Sequence, residues 1–135
     1  MATNSIKLIS SDIHRGLADS VAARLGLDLC KVDIKRESSG EVMFSIAESV
    51  RDEDIYIISQ ISCGDVNDRL IELLIMVNAC KTASARNITA GITNFPYARQ
   101  DRTDKTRAPI SVKLSADMVT TAGVNNIITM DFHVS

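Results

Sequence analysis

The sequence predicts an α/β fold, in which a mostly parallel sheet is flanked by helices and a small β-hairpin stands to one side. Two observations lead to this class. Short apolar, β-branched segments alternate along the chain with longer segments of helical periodicity. One pair of strand candidates is joined by a tight turn, whereas the others are separated by helices and so run parallel. The length, 135 residues, is that of one domain, and 45% hydrophobic with 24% charged residues is an ordinary globular composition.

The chain begins with a strand and a helix. Residues 6–10, with the sequence IKLIS, are a short strand candidate. Residues 12–26 have apolar side chains at i, i+4 and i+8 and end in glycine, which predicts an amphipathic helix. The side chains of its predicted apolar stripe are Leu17, Val21 and Leu25.

A hairpin, a buried strand and a second helix follow. Residues 30–36 and 42–46 flank the turn at 37–41, which predicts two antiparallel strands. The segment DIYIIS at 54–59 is apolar on both faces, as in a buried strand. Residues 66–81 read as a helix that is apolar nearly all round, and a position in the core explains that bias.

The last three elements continue the alternation. Residues 87–92 form a strand candidate. The segment 109–123 has proline near its first turn and glycine at its end, and Leu114 and Met118 lie on one face, so a helix is predicted. Residues 126–131 are the last strand.

Parallel strands place the loops that follow them at one edge of the sheet, where open α/β sheets bind ligands. Four loops are predicted at this carboxyl edge. They are residues 10–12 (SSD), 61–65 (ISCGD), the segment after 87–92, and 131–135 (DFHVS). His14, just past the first of them, is expected to be a surface residue on the first helical turn.

The third of these loops carries much of the charge. Residues 94–109, NFPYARQDRTDKTRAP, contain four cationic and two anionic side chains and both prolines of the chain. Such a loop is longer than the roughly 2–6 residues that a strand-to-helix connection needs. Arginine forks fit phosphate oxygens. From composition alone, a phosphate site and a solvated loop of self-pairing charges are about equally good interpretations.

The segment DFH forms a second candidate constellation. In an extended chain Asp131 and His133 face the same side. A carboxylate and an imidazole beside a cationic loop could hold Mg²⁺, which takes few protein ligands and leaves the rest to water and phosphates. A capping aspartate and an edge histidine are the simpler alternative. Because DFH and the cationic loop are predicted at the same edge of the sheet, a Mg²⁺–nucleotide site is favoured over this alternative.

Charge and cysteine usage exclude other classes. A pI near 5.6 argues against nucleic-acid binding. The longest charge-free apolar run, residues 73–80, is far shorter than the roughly 20 residues of a membrane span, and residues 1–10 do not resemble a secretory signal. Cys30 and Cys80 are expected to be reduced core residues, and Cys63 lies in a loop; a cytoplasmic location is expected.

The segments NFPYARQDRTDKTRAPIS, ELLIMVNACKTASA and IITMDFH closely resemble ribose-phosphate diphosphokinase (phosphoribosyl pyrophosphate synthetase) of the eukaryotic, phosphate-dependent class. The resemblance runs from NSIKLIS to the last residue. It implies a type I phosphoribosyltransferase-like fold and transfer of the diphosphoryl group of Mg-ATP to ribose 5-phosphate. Residues 1–135 look like the single N-terminal, ATP-side domain, without the C-terminal domain that binds ribose 5-phosphate.

The resemblance also implies site residues. For ATP binding they are Arg99, Gln100 and Asp101, with Gly40 and Glu41 reaching the ATP of a neighbouring subunit. Asp131 and His133 correspond to the Mg²⁺–ATP site, and the resemblance implies that His133 is a catalytic residue. A regulatory site for activating phosphate or inhibitory ADP corresponds to Ser49, Arg51, Lys105, Thr106 and Arg107. The charged loop would then serve two pockets.

Two departures from the family are visible. Glu37 stands where the family usually has a phenylalanine that stacks on adenine. No DDxxxTG segment for ribose 5-phosphate occurs, so this chain alone is expected to be inactive. The expected partners are ATP, ribose 5-phosphate, the effectors phosphate and ADP, and identical or paralogous subunits. The alternative to an enzyme is a catalytically silent regulatory subunit of such an assembly.

Overall fold

A computed structural model describes residues 6–62, 64–94, 96–97 and 111–131. These residues form the strands β1 (Ile6–Ser10), β2 (Val32–Arg36), β3 (Val42–Ile46), β4 (Asp54–Ser59), β5 (Asn87–Asn94) and β6 (Asn126–Asp131). The helices are α1 (Gly16–Leu25), α2 (Val66–Thr82) and α3 (Ser111–Ala122). Every element predicted from the sequence is present, in the predicted order.

The main sheet has four parallel strands in the order β1-β4-β5-β6. Ile57 of β4 pairs with Ile9 of β1 on one side and with Ala90 of β5 on the other. Because the strands are parallel, their carboxyl ends lie at one edge, and Asn94 at the end of β5 pairs with Asp131 at the end of β6. The predicted α/β class with a mostly parallel sheet is confirmed.

The core lies between one face of this sheet and the helices α2 and α3. Its members are aliphatic side chains from alternate strand positions and from the inner faces of the two helices, and most are completely buried. Cys30 and Cys80 are buried here as free thiols, as predicted. Burial raises the pKa of Cys30 to about 11 and that of Cys80 to about 12, so both stay protonated and unreactive at neutral pH.

In two helices, the most deeply buried side chains are not the large apolar ones on which the sequence prediction was based. In α1 the buried side chains are Ala18 and Ala22, while Leu25 is 58% exposed. In α3 the helix buries Val112, Ser115 and Val119, and Leu114 is 56% exposed. Periodicity therefore identified both helices, but the largest apolar side chains do not mark their packed faces.

The hairpin β2–β3 is a separate antiparallel sheet that packs beside the main one. Its inner face presents Val32, Phe44 and Ile46 to the core, whereas Lys35 and Met43 point outwards. The chain just before β2 joins the main body through a hydrogen bond from the Cys30 amide to the Leu8 carbonyl, at 2.7 Å. The predicted hairpin is confirmed.

Helix α2 has one buried face and one open face. Leu73, Met76 and Val77 are buried in the core, but Ile71 is 50% exposed. The open face lines a groove of about 530 Å³ whose walls are Phe44, Ile71, Leu74, Ile75, Asn78, Ala79 and Ala122. The core position therefore explains only part of the apolar character of α2. No helix in the described part of the chain combines the length and hydrophobicity that a membrane span requires.

Candidate functional site at the carboxyl edge of the sheet

The carboxyl edge collects polar groups from neighbouring strands. The chain leaves β1 at Ser10 and Ser11, both of which are buried, and leaves β4 at Ser59 and Gln60. The loop after β4 is tied to the end of β5, because the Ile61 amide donates to Thr93 Oγ1 at 3.0 Å and Asn94 Nδ2 donates to the Ile61 carbonyl at 3.0 Å. These polar side chains, of which only the serines are buried, suit a polar ligand better than an apolar one.

Backbone strain also occurs at this edge. His14 has φ 58° and Tyr97 has φ 63°, values that L-residues adopt rarely. The Tyr97 hydroxyl is hydrogen-bonded to Asn67 Oδ1 in the first turn of α2, which fixes the chain after β5 on that helix. Asp52 and Ser84, which precede β4 and β5 at the opposite edge, have similar φ values of 59° and 66°, so positive φ alone does not distinguish the carboxyl edge.

Five side chains form a closed polar ring beside this edge, which we call the ion ring: Ser11, Asp12, Arg36, Arg69 and Glu72. Arg36 Nη2 lies 2.8 Å from Asp12 Oδ1 and 2.5 Å from Glu72 Oε2. Arg69 Nη1 donates to Glu72 Oε1 at 3.0 Å and to Ser11 Oγ at 3.1 Å. Ser11 Oγ lies 3.5 Å from Asp12 Oδ1 and completes the ring.

The ion ring is buried at Ser11, Arg69 and Glu72, is open to solvent at Asp12 and Arg36, and has balanced charges. Glu72 is 1% exposed and Arg69 is 5% exposed. Arg36 and Arg69 supply two positive charges, and Asp12 and Glu72 supply two negative charges. A buried charge is tolerated only when it is paired and hydrogen-bonded, so Arg69 and Glu72 depend on their partners in the ring.

Asp65, at the start of α2, extends this network towards His14. Asp65 Oδ2 lies 2.7 Å from His14 Nε2 and 3.7 Å from Arg69 Nε. Burial pushes the pKa of Asp65 upwards, but hydrogen bonds from the Ser62 amide and His14 outweigh it, and the pKa of Asp65 is lowered. His14 is exposed, as predicted, but it precedes α1 instead of lying in its first turn.

The hairpin turn holds two of the predicted nucleotide-binding residues. The Gly40 amide donates to the Glu37 carbonyl and the Glu37 amide donates to the Glu41 carbonyl, both at 2.9 Å. Gly40 has φ 95°, so the turn itself requires glycine. Glu41 is exposed, and Glu37 Oε1 lies 3.8 Å from Lys35 Nζ. A carboxylate, and not a ring, therefore stands at the start of the turn.

Most of the remaining predicted site lies outside the described residues. This applies to Arg99, Gln100, Asp101 and His133, to the regulatory residues Lys105, Thr106 and Arg107, and to Cys63. The backbone of Asp131 is described, and it ends β6 opposite Asn94. Among the described residues, no three His, Cys, Asp or Glu side chains are grouped as metal ligands.

Ser49 and Arg51 lie away from the carboxyl edge. They belong to the segment between β3 and β4 and precede the amino end of β4. The Ser49 carbonyl accepts a hydrogen bond from Lys7 Nζ at 2.9 Å, and Ser49 Oγ accepts one from the Arg51 amide at 3.4 Å. Both residues are exposed. Within one chain, the strands therefore separate these two residues from the carboxyl ends of β5 and β6, where the charged segment begins.

Comparisons with known proteins place this geometry in a family. The family model described as the N-terminal domain of ribose phosphate pyrophosphokinase matches residues 6–123. The chain belongs to this family. It is 68% identical over 135 residues to ribose-phosphate pyrophosphokinase 1 of Candida albicans and 67% identical to ribose-phosphate pyrophosphokinase 3 of Saccharomyces cerevisiae. It spans 42% of the length of each of these relatives.

A solved structure gives the same relationship in three dimensions. The chain resembles the crystal structure of phosphoribosylpyrophosphate synthetase from Mycobacterium smegmatis with a TM-score of 0.94 and 36% sequence identity. The match covers 98% of this chain and 44% of that one. The resemblance drawn from the charged segment and the terminal DFH is thus confirmed at the level of family and fold.

Sequence reasoning missed the ion ring. A signal was present, because Arg69 and Glu72 are charged side chains at i and i+3 on the face of α2 that also carries Leu70, Leu73 and Met76. Charges on the packed face of a helix have to be paired, so this spacing indicates a buried ion pair. Nothing in the sequence indicates that the partner across the interface is Arg36, which belongs to the hairpin.

Proposed function

We propose that the chain is the N-terminal, ATP-side domain of a ribose-phosphate diphosphokinase that transfers the diphosphoryl group of Mg-ATP to ribose 5-phosphate. The observation that carries the proposal is the identity of 67–68% over the whole chain to two fungal ribose-phosphate pyrophosphokinases. A C-terminal domain would supply the ribose 5-phosphate site. The carboxyl edge, with the buried hydroxyls of Ser10, Ser11 and Ser59, is the proposed ligand edge.

The proposed ATP site uses residues of the charged segment and of the hairpin turn. Arg99 and Gln100, with Asp101, would hold the phosphates and ribose of ATP, since one guanidinium group can donate two parallel hydrogen bonds to phosphate oxygens. Gly40 and Glu41 would contact the nucleotide of a neighbouring subunit. Catalysis of this transfer consists of positioning and charge stabilisation, which needs no covalent intermediate with the protein.

Asp131 and His133 are the proposed Mg²⁺ site: the carboxylate of Asp131 has the oxygen donors that Mg²⁺ prefers, and the imidazole of His133 would bind one of the waters that the ion keeps. The position of Asp131, at the end of a strand and opposite Asn94, is consistent with a ligand at the carboxyl edge. When bound, the ion would offset the negative charge of the ATP phosphates. His133 would contact the nucleotide beside it and is the proposed catalytic residue.

The proposed regulatory site combines two separated groups. Ser49 and Arg51 precede the amino end of β4, whereas Lys105, Thr106 and Arg107 follow β5 in the chain. Phosphate or ADP would be bound by the two groups together. The open apolar groove on α2 supports assembly, because apolar surface of this kind is usually covered by a partner. The expected assembly is a cytoplasmic homo-oligomer or a mixture of paralogous subunits.

A catalytically silent regulatory subunit is the second candidate, and Glu37 favours it. The glutamate starts the hairpin turn, and its Oε1 lies 3.8 Å from Lys35 Nζ. In the family this position usually carries a phenylalanine that stacks on adenine, and a carboxylate cannot stack. A protein with this role would bind effectors and partners but would turn over ribose 5-phosphate only through an active paralogue.

The decisive experiment measures turnover of ribose 5-phosphate with Mg-ATP by the complete protein, alone and mixed with a paralogue. In the same protein, Arg99→Ala should weaken Mg-ATP binding by roughly 1.5–3 kcal/mol, the value of a charge-assisted hydrogen bond, and leave inorganic phosphate binding unchanged. Arg107→Ala should do the reverse. Both losses should shrink as salt increases.

The outcomes separate the hypotheses. Turnover by the protein alone supports the enzyme, and turnover only in the mixture supports the regulatory subunit. Equal weakening of both ligands by the two substitutions means one pocket and contradicts the two-site account of the charged segment. If neither substitution changes the binding of Mg-ATP or phosphate, the charged segment is a solvated loop that binds no ligand.

A further inference from the structure

The hairpin is attached to the body of the domain by few directional contacts. It forms its own two-stranded sheet, and its inner face packs through Val32, Phe44 and Ile46. Apolar contacts are non-directional, so they permit small shifts of the hairpin over α2. The groove that remains between Phe44 and α2 indicates that this packing is incomplete.

Arg36 is the charged residue on the inner face of the hairpin. It alternates with Lys35, which points outwards, and it pairs across the strands with Val42 next to the turn. Its Nη2 contacts two different parts of the body, Asp12 in the loop after β1 and Glu72 in α2, at 2.8 and 2.5 Å. One side chain thus connects the turn end of the hairpin to two elements at the carboxyl edge.

The other members of the ion ring make this contact selective. The other carboxylate oxygen of Glu72, Oε1, accepts a hydrogen bond from Arg69. Arg69 also donates to Ser11 Oγ in the loop after β1. Because Glu72 is 1% exposed, a displaced Arg36 would leave a buried carboxylate with one cation instead of two. Buried ion networks of this kind add little net stability, but they favour one arrangement of the parts over others.

We propose that Arg36 is a positioning residue, which through the ion ring fixes the hairpin turn with Gly40 and Glu41 against the loop after β1 at the carboxyl edge. The functional consequence rests on the proposed nucleotide role of that turn. A turn held in place would present its residues to a ligand without an ordering cost at binding. Arg36 itself need not touch the nucleotide.

The first test compares Arg36→Met with Lys35→Met in the complete protein, by hydrogen exchange of residues 37–46 and 54–59. Lys35 is the matched control, since it is the preceding residue, its side chain is 74% exposed and it points away from the body. Arg36→Met should speed exchange in 37–46 by about tenfold and leave 54–59 unchanged, because local opening of the hairpin becomes easier. Lys35→Met should change neither segment, because its 3.8 Å pair with Glu37 is exposed and screened by solvent.

Two results would overturn the proposal: unchanged exchange in 37–46, or an equal increase in 54–59, which would mean that the ring stabilises the whole domain. If Arg36→Met does not fold, Arg36→Lys decides instead. A lysine retains one carboxylate contact, so an intermediate increase confined to 37–46 is expected.

The second test measures KM for Mg-ATP and kcat in the same variants. Arg36→Met should raise KM by about tenfold, since the turn binds only when it is in place, and should change kcat less than KM. An unchanged KM together with faster hairpin exchange would overturn the link between the ring and nucleotide binding. Absence of turnover in the wild-type protein would instead contradict the proposed function, and the exchange measurement would still decide the role of Arg36.

Discussion

The main sheet and the hairpin are stabilised by different kinds of contact. In the main sheet, Ile9, Ile57 and Ile92 are completely buried against α2 and α3. In the hairpin, the inner apolar side chains are only partly buried, and the turn end is connected to the body by the charged side chain of Arg36. One part is an aliphatic core, whereas the other combines a smaller apolar contact with partly buried ion pairs.

This difference separates stability from position. Burial of apolar surface supplies most of the free energy of folding, but it does not prescribe where one element sits on another. The ion pairs of the ring supply little net free energy, but they penalise every arrangement in which the buried Glu72 or Arg69 loses a partner. The parallel sheet needs no such contact, because the register of its backbone hydrogen bonds already fixes each strand.

The largest effect is expected in the core of the body. Leu73→Ala should lower the free energy of unfolding by about 2–5 kcal/mol, because the side chain is completely buried and its removal leaves a cavity. The matched control is Ile71→Ala, two residues earlier in α2, where the side chain is 50% exposed and should cost less than about 1 kcal/mol. Urea denaturation of both variants gives the two values.

The loss in Leu73→Ala should also be global. Exchange should increase together in β4, β5 and the hairpin, since the cavity lies in the core on which all of them pack. A Leu73→Ala loss no larger than that of Ile71→Ala would contradict the assignment of α2 faces. A large loss in both variants would instead indicate that a partner subunit covers the groove and buries Ile71.

The elements of the body were predictable because local and tertiary preferences agree there. The segment DIYIIS is β-branched and apolar, and it became the central strand β4 with Ile55 and Ile57 fully buried. Helix faces were less predictable. In α3 the polar Ser115 is buried on the face that also carries Val112 and Val119, whereas the larger apolar Leu114 is exposed. Hydrophobicity alone does not encode such a choice.

The candidate site was predictable only as a set of motifs. The charged segment and DFH identified the family without any coordinates, because many residues together carry the similarity. Contacts between distant parts of the chain, such as Arg36 with Glu72 or His14 with Asp65, have no local signal. Their partners are 36 and 51 residues apart in sequence, and only the folded chain brings them together.

A smaller effect is expected at the apolar contact of the hairpin. Phe44→Ala should lower the free energy of unfolding by about 1–2 kcal/mol, since Phe44 is only partly buried in the groove beside α2. Met43→Ala is the control, because this neighbouring side chain is 57% exposed on the outer face. Exchange should increase in β2 and β3 but not in β4. An increase of equal size in β4 would mean that the hairpin and the body unfold as one unit.

The smallest effect is expected at the base of the hairpin, where Glu48 connects it to the body. Glu48 Oε1 lies 2.7 Å from Lys7 Nζ in β1, and Glu48 Oε2 accepts a hydrogen bond from the Lys31 amide just before β2 at 3.0 Å. The hydrogen bond from Lys7, followed by that from the Lys31 amide, lowers the pKa of Glu48. Both side chains of the pair are about a quarter to a third exposed, so solvent screens their attraction.

A carboxyl group whose pKa is lowered by folding stabilises the protein above its unfolded pKa of about 4.3, and this contribution is lost as the pH falls through the folded pKa. Glu48→Gln should therefore cost about 0.5 kcal/mol at pH 7, a typical value for a partly exposed pair, and should approach the wild type near pH 3. Urea denaturation at both pH values, with Asp33→Asn on the outer face of β2 as control, measures this difference. A cost that stays the same at both pH values would mean that Glu48 acts through packing and not through its charge.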